Sequence, residues 1–153
     1  HRNFQGYCTR ETTGQVYAFG ASSISQLDSA YIQNIKNASQ YINSIEKNNL
    51  AVFRGYSVNK DQKIIREIIN SIMCNYFVDI NTIAKKYSLQ ATQLYNLIKF
   101  KKDNLDDFIE DEILEFKDDI ILVNESGRLF TRNIAMRFDP LIDQKVGSYS
   151  NTV

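Results

Sequence analysis

The feature that most constrains the fold is a run of large aliphatic residues in the middle of the chain, spaced for an amphipathic helix. Between residues 59 and 74, large apolar residues are separated by one, three or four positions along the chain. They are Ile64, Ile65, Ile68, Ile69, Ile72 and Met73. Such spacing places them on one face of an α-helix. Asn59 or Asp61 can cap its start. The sequence therefore predicts a helix from about Asn59 to Cys74 whose apolar face packs into a core.

Apolar spacing elsewhere predicts further helices and a few short strands. One stripe starts at Asp28 and predicts a helix ended by Asn48 and Asn49. In chain order, the sequence predicts a strand at 16–19, that helix, a connector at 53–57, the isoleucine-rich helix, a short helix after Asp79, a helix at 90–100, a helix from 105 or 106 to 116, a strand at Ile120–Val123 and a helix at about 125–138. Pro140 helps to end the last helix. The predicted fold class is α+β and predominantly helical, with a domain boundary after residue 53.

Charge and composition exclude several classes of protein. The 153 residues include 18 basic and 18 acidic side chains, so the formal net charge is zero. That balance counts against a nucleic-acid module that relies on bulk positive charge and against a polybasic membrane binder. No apolar run approaches the ~18 residues of a membrane span. Two cysteines and one histidine, His1, exclude a disulfide framework, a site with three cysteine ligands and histidine-based catalysis.

Residues 83–98 have the pattern of a helix-turn-helix, which consists of two short amphipathic helices and a tight turn. The second helix would expose polar side chains to a partner: Gln90, Thr92, Gln93, Asn96 and Lys99. Many acidic residues follow closely, between 103 and 112, and they would repel a nucleic-acid backbone. The balance favours a trihelical shape that is only a packing solution.

Three other groups of polar residues have both a chemical and a structural interpretation. The acidic run at 106–112 could supply acid/base pairs, but a solvated helix start favoured by the helix dipole is the preferred interpretation. Arg128, Arg132 and Arg137 could bind a phosphate or carboxylate, and ion pairs with the acidic run are the alternative. Cys74 fits a small core residue, whereas the role of Cys8, in a polar loop, stays open.

Two glycine-containing segments near the N-terminus are candidate ligand loops. In the first, Gln5 lies between Phe4 and Gly6, where an amide could read an amide or carboxylate of a ligand. In the second, residues 20–25 follow the predicted strand and offer backbone donors, and ligand sites often lie at strand ends. An ordinary turn explains the second segment equally well, because neither segment is a known phosphate loop.

Several strings, in order along the whole chain, resemble one family. They are HRNFQGY at 1–7, FGASSIS at 19–25, Tyr31, Gln33 and Asn34, Arg54-Gly55, IMCNY at 72–76, Gly127-Arg128, RNIAMRFD at 132–139 and YSNTV at 149–153. Together they resemble the oxygen-independent coproporphyrinogen III oxidases, radical S-adenosylmethionine enzymes of heme synthesis. The related heme-chaperone branch usually lacks the NFQGY and RNIAM strings. Small departures occur at Cys8, Ala21, Ser23 and Val123.

The resemblance implies that the chain is the C-terminal part of a longer enzyme, in keeping with a first residue, His1, that is not Met. Residues 1–53 would be the last strand and helix of a radical S-adenosylmethionine barrel, and residues 54–153 a winged-helix-like helical domain. The family's three-cysteine motif, which binds a [4Fe–4S] cluster and with it S-adenosylmethionine, would lie upstream. Phe4, Gln5 and Ile24 would border the S-adenosylmethionine region. This chain would contain no catalytic residue and no metal ligand.

The function implied is oxidative decarboxylation of coproporphyrinogen III to protoporphyrinogen IX, in the cytoplasm and without membrane or nucleic-acid partners. The partners would be the upstream barrel and the substrate, and this part alone would be inactive and bind no cofactor. Two alternatives remain: a winged-helix DNA-binding module, and a non-catalytic interaction domain.

Overall fold

The computed structural model describes residues 15–140 and two short N-terminal strands, β1 (Arg2–Asn3) and β2 (Gly6–Tyr7), which pair antiparallel. The described residues from 15 onward fall into two compact units. The first, called the sheet unit, lies within Thr9–Lys63. The second, called the helical unit, lies within Ile64–Val153.

The sheet unit is a three-stranded antiparallel sheet with one helix. Its elements are β3 (Ile24–Gln26), β4 (Ala30–Asn34), α1 (Ala38–Glu46) and β5 (Val52–Ser57). The strand order is β3–β4–β5, so β4 is central and the other two are edges. The helix starts at a side-chain cap, since the backbone N–H of Gln40 donates to Asn37 Oδ1 at 3.0 Å.

The long helix predicted from Asp28 is wrong in its first half, where the structure has β4. A strand here forms backbone hydrogen bonds to two neighbouring strands, which an isolated helical turn cannot match. The predicted strand at 16–19 is reduced to one isolated bridge between Val16 and Gln26. The segment predicted as a connector, 53–57, belongs to strand β5. The first and third differences have one origin: β4 and β5 pair with each other although helix α1 separates them in the chain, and such a pairing leaves no local pattern in the sequence.

The helical unit follows along the chain, starting from a helix that spans the boundary between the two units. Its elements are α2 (Lys60–Asn75), β6 (Phe77–Asp79), α3 (Ile80–Lys86), α4 (Ala91–Leu97), a 3-10 turn (Lys102–Leu105), α5 (Asp106–Glu110), β7 (Leu114–Lys117), β8 (Ile120–Val123), a second 3-10 turn (Ser126–Phe130) and α6 (Thr131–Met136). The three strands form an antiparallel sheet in the order β6–β8–β7.

The isoleucine-rich helix is confirmed as α2. A reciprocal cap starts it: the Gln62 N–H donates to Asn59 Oδ1 at 2.9 Å, and the Asn59 N–H donates to Gln62 Oε1 at 3.1 Å. The predicted face is turned inward, and Ile64, Ile68 and Ile72 are fully buried. The residues of this face belong to the core of the helical unit.

The rest of that core comes from β6, α3, α4, the hairpin β7–β8 and α6. An aromatic stack closes one side. The Phe100 ring lies 4.6 Å from that of Phe138 and 5.6 Å from that of Tyr95, measured between centroids. Offset stacking of this kind adds to the free energy gained by burial.

The helix predicted from 105 to 116 is too long. Helix α5 ends at Glu110, and Glu112 adopts the left-handed conformation (φ 55°) that reverses the chain. The residues after it alternate: Leu114 faces inward while Glu115 and Lys117 are exposed, so they form strand β7. The final predicted helix is likewise divided into a 3-10 turn and α6.

Candidate functional site

The candidate site is a groove on one face of the β3–β4–β5 sheet, with a volume of about 300 Å³. Cross-strand pairing builds it. Ile24 is opposite Gln33, and Gln33 is opposite Arg54, so these three side chains form one row across the sheet. Tyr31 and Tyr56 are paired two residues along their strands, and they therefore form a second row on the same face.

The polar row is held by a short relay of hydrogen bonds. Arg54 Nε donates to Gln33 Oε1 at 2.9 Å, and Gln33 Nε2 donates to the Ser22 carbonyl at 3.2 Å. Because the Gln33 amide is held at both ends, its oxygen is turned toward Arg54. The relay fixes the guanidinium group at the edge of the sheet while using only its Nε–H.

The second row consists of two tyrosine rings, and Gln62, near the end of the sheet unit, holds one of them. Tyr56 is half-exposed, and its hydroxyl accepts a hydrogen bond from Gln62 Nε2. Together with Ile24, the two tyrosine rings give the groove apolar walls beside one cation. Such a combination suits an organic anion with an apolar body.

Two backbone donors of the glycine- and serine-containing loop at 20–25 are already used within the sheet unit. Gly20 N–H donates to the Tyr41 hydroxyl at 3.0 Å, and Ser22 N–H donates to the Ile35 carbonyl at 2.9 Å. The Asn34 amide also donates to the Gly20 carbonyl, at 3.0 Å. Gly20 has a positive φ of 99°, which glycine adopts without strain. The loop is thus a turn that locates Ser22 for Gln33.

Of the three residues that the family resemblance assigns to the S-adenosylmethionine region, the structure describes one side chain. Ile24 lies in the groove, on β3. The side chains of Phe4 and Gln5 lie outside the described residues, as does Cys8. Sequence reasoning missed the Arg54–Gln33 pair as a site, although both residues belong to the matching strings. The signal that would have found it is the pairing of β4 with β5.

The arginines near the C-terminus are mostly engaged. Arg137 pairs with Asp107 at 2.7 Å, as the ion-pair interpretation expects, and its guanidinium lies over the Phe108 ring. Arg128 lies over the ring of Tyr76, 4.9 Å from its centroid. Arg132 is exposed. The three cations therefore do not converge on one anion site among the described residues.

The acidic run and Cys74 have structural surroundings. Asp106 and Asp107 occupy the first turn of α5, where the helix dipole favours carboxylates. Cys74 is half-buried near the end of α2 and has partners of its own. Within residues 15–140, no group of three or more His, Cys, Asp or Glu side chains could hold a metal ion.

The helix-turn-helix pattern corresponds to α3 and α4, and the exposed polar side chains of α4 are placed as predicted. Their surroundings are acidic. The tip of the β7–β8 hairpin consists of Asp118 and Asp119, both with positive φ. Two of the neighbouring lysines are paired, Lys86 with Glu67 and Lys102 with Asp119. Acidic residues also outnumber basic ones in the helical unit, and this distribution disfavours a nucleic-acid backbone.

Asp119 also accepts a hydrogen bond from Tyr95, whose hydroxyl donates to Asp119 Oδ1 at 2.8 Å. Burial, followed by this hydrogen bond and the nearby carboxylate charge, raises the pKa of Tyr95 above its usual range. The phenol therefore stays neutral and acts as a hydrogen-bond donor.

No helix of the described residues is long and apolar enough to cross a membrane.

Residues 58–130 match the family model described as "HemN C-terminal domain". The oxygen-independent coproporphyrinogen III oxidase of Salmonella typhimurium is 34% identical over 150 residues, which is 95% of this chain and 31% of that protein. The Escherichia coli protein of the same name is 36% identical over the same shares of the two chains. The Helicobacter pylori protein is 28% identical over 99% of this chain and 32% of its own length.

One solved structure has the same fold. It is described as "Coproporphyrinogen III oxidase (HemN) from Escherichia coli is a Radical SAM enzyme", with a TM-score of 0.75 and 32% identity over 91% of this chain and 31% of the other. The chain thus spans about a third of the length of the relatives it matches. Residues 58–130 thus match the C-terminal domain of this family, and the chain is similar over nearly its whole length to a C-terminal part of the oxygen-independent coproporphyrinogen III oxidases.

Proposed function

We propose that this chain is the C-terminal part of an enzyme that oxidatively decarboxylates coproporphyrinogen III to protoporphyrinogen IX by adenosyl-radical chemistry in the cytoplasm. The observation that carries the proposal is similarity along 95% of the chain to proteins named for that activity. The common fold, at a TM-score of 0.75, supports it.

The [4Fe–4S] cluster would be held by another part of the enzyme. A cluster with an open iron needs three cysteine ligands, and this chain has two cysteines in all, one of them half-buried on α2. Its residues therefore do not fit the cluster, and no reaction step is assigned to them. The chain would complete the enzyme structurally and would be inactive alone.

Phe4, Gln5 and Ile24 would border the S-adenosylmethionine region, with residues 1–53 as the end of the barrel. The position of Ile24 on the groove supports a ligand-facing role for this residue.

Residues 54–153 would be a winged-helix-like domain. The order α2, β6, α3, α4, β7, β8 and the sheet order β6–β8–β7 support this arrangement, in which the β7–β8 hairpin is the wing. The acidic tip of the wing favours a role within the enzyme over DNA binding.

A chimeric enzyme tests the function. The matching C-terminal part of the Escherichia coli relative is replaced by this chain, and protoporphyrinogen formation from coproporphyrinogen III is measured under anaerobic conditions. We expect the chimera to be active, and both the shortened relative and this chain alone to be inactive. An inactive chimera with normal cluster absorbance would overturn the proposal.

The DNA-binding alternative has its own measurement. Binding of this chain to duplex DNA is followed at low and moderate salt. We expect no salt-dependent binding to DNA, because the tip of the proposed wing is acidic and two of the neighbouring lysines are paired. Steeply salt-dependent binding would support the alternative.

A further inference from the structure

We propose that the sheet groove binds the carboxylate of a ring-bearing organic ligand, and that Arg54 is the residue that pairs with it. This inference names a ligand chemistry for one surface and rests on the proposed function only in its choice of probes.

Arg54 is held but not neutralised. Its Nε–H is used by Gln33, and among the described residues no carboxylate pairs with its two terminal nitrogens. Asp28, an acidic residue of the same unit, is paired with Lys63 at 2.6 Å. The guanidinium thus keeps its charge and presents its remaining N–H groups as a fork, the geometry that matches a carboxylate.

Gln33 orients the guanidinium group of Arg54. Its amide is bonded to Ser22 at one end and to Arg54 at the other, so the guanidinium plane is restrained before a ligand arrives. Restraint in advance lowers the entropic cost of binding. Gln33 is therefore a positioning residue for Arg54.

The apolar residues that line the groove indicate the chemistry of the rest of the ligand. Ile24 and the rings of Tyr31 and Tyr56 lie on the same face as the guanidinium and enclose about 300 Å³. Flat apolar groups pack favourably on tyrosine rings. A carboxylate attached to a flat or ring-bearing body satisfies both halves of the groove.

Two molecules of the proposed reaction have this chemistry: the tetrapyrrole, through its propionate side chains, and S-adenosylmethionine, through its amino-acid carboxylate. The groove would recognise the carboxylate, which both molecules have. Separate probes tell the two sources apart, because each has a close analogue without a free carboxylate.

The experiment measures binding to the full 153-residue chain by fluorescence and calorimetry. The probes are coproporphyrin III and its tetramethyl ester, then S-adenosylmethionine and decarboxylated S-adenosylmethionine. We expect one acid of the two pairs to bind, and its analogue without a carboxylate to bind about tenfold or more weakly.

Variants assign the effect to one residue. Arg54→Gln should weaken binding of that acid by about tenfold to a hundredfold, and Arg54→Lys, which keeps the charge but not the fork, by less. Lys47→Gln is the matched control, since it removes an exposed cation of the same unit, and should bind as the unchanged chain does. Circular dichroism checks that each variant is folded.

Equal binding of acid and analogue, or equal affinity of Arg54→Gln and Lys47→Gln, would overturn the proposal. Absence of binding of both acids to the unchanged chain would do the same. Failure of the chimeric enzyme is a distinct result, because a carboxylate site that depends on Arg54 is measured here without turnover.

Discussion

At the scale of single residues, Gly127 has the least room for a side chain among the glycines that the structure describes. A Cβ added there would lie 2.1 Å from the Ile113 carbonyl oxygen and 2.9 Å from a Val123 methyl. The carbonyl cannot move away freely, because it accepts the Asn124 N–H at 3.0 Å. The glycine is therefore required by close packing of the second 3-10 turn on the β7–β8 hairpin.

Gly127→Ala should lower the free energy of unfolding by about 1–3 kcal/mol or more, since the methyl group meets backbone that no rotamer change can relieve. Urea unfolding followed by circular dichroism measures it. Gly55→Ala is the control, because its Cβ would lie 3.7 Å from the Tyr31 carbonyl oxygen, an ordinary contact. Equal losses in the two variants would contradict the packing argument.

Residue identity alone could have suggested the groove only in part. Ile24, Gln33 and Arg54 all belong to strings that resemble the family, but nothing local in the sequence places Gln33 beside Arg54, 21 positions away. That proximity follows from the register of β4 and β5, and a one-residue slip would turn Arg54 to the other face. The sequence could therefore suggest Ile24, whose side chain lines the groove, but not the hydrogen-bond relay.

At the scale of elements, helix α3 depends on its cap. The Thr82 N–H donates to Asp79 Oδ1 at 3.0 Å, and the Thr82 hydroxyl donates to Oδ2 at 2.7 Å. These bonds, the side-chain one first, lower the pKa of Asp79 below its ordinary value. A carboxyl with a lowered pKa in the folded state stabilises the fold above its unfolded pKa, and this contribution is lost as the pH falls through the folded value.

Asp79→Ala should destabilise the helical unit by about 0.5–2 kcal/mol at pH 7, and Asp79→Asn by less, because asparagine can also cap. The difference between the unchanged chain and Asp79→Asn should shrink as the pH falls below about 4. Thermal unfolding across that pH range measures both effects. A difference that persisted at low pH would show that the carboxylate charge is not the cause.

Elements differ in how well the sequence predicts them. Helices such as α2 and α3 carry their signal locally, in periodic apolar residues and in caps such as Asn59 and Asp79. Strands β4 and β5 pair although helix α1 separates them in the chain, and the residues of β4 and β7 also fit a helical stripe. Local patterns therefore located the core of the helical unit but misplaced most of the sheet on which the groove lies.

At the scale of the whole molecule, burial is uneven between the two units. Every member of the large apolar core, from Ile64 to Phe138, belongs to the helical unit. In the sheet unit, only Ala51 and Val58 are buried among the described residues, and every residue of β5 is exposed. Stability is thus concentrated in one half of the chain.

Hydrogen exchange should reveal this difference. The amides of Ile68 and Ile72, on the buried face of α2, should exchange only through global unfolding of the helical unit, and their rates should rise steeply with denaturant. The amides of Gly55 and Tyr56, on the exposed edge strand, should exchange much faster through local opening that depends weakly on denaturant. Equal protection of the two sets, with the same denaturant dependence, would mean that the sheet unit is stabilised by contacts that its burial does not reveal, and that the groove is part of the most rigid region of the chain.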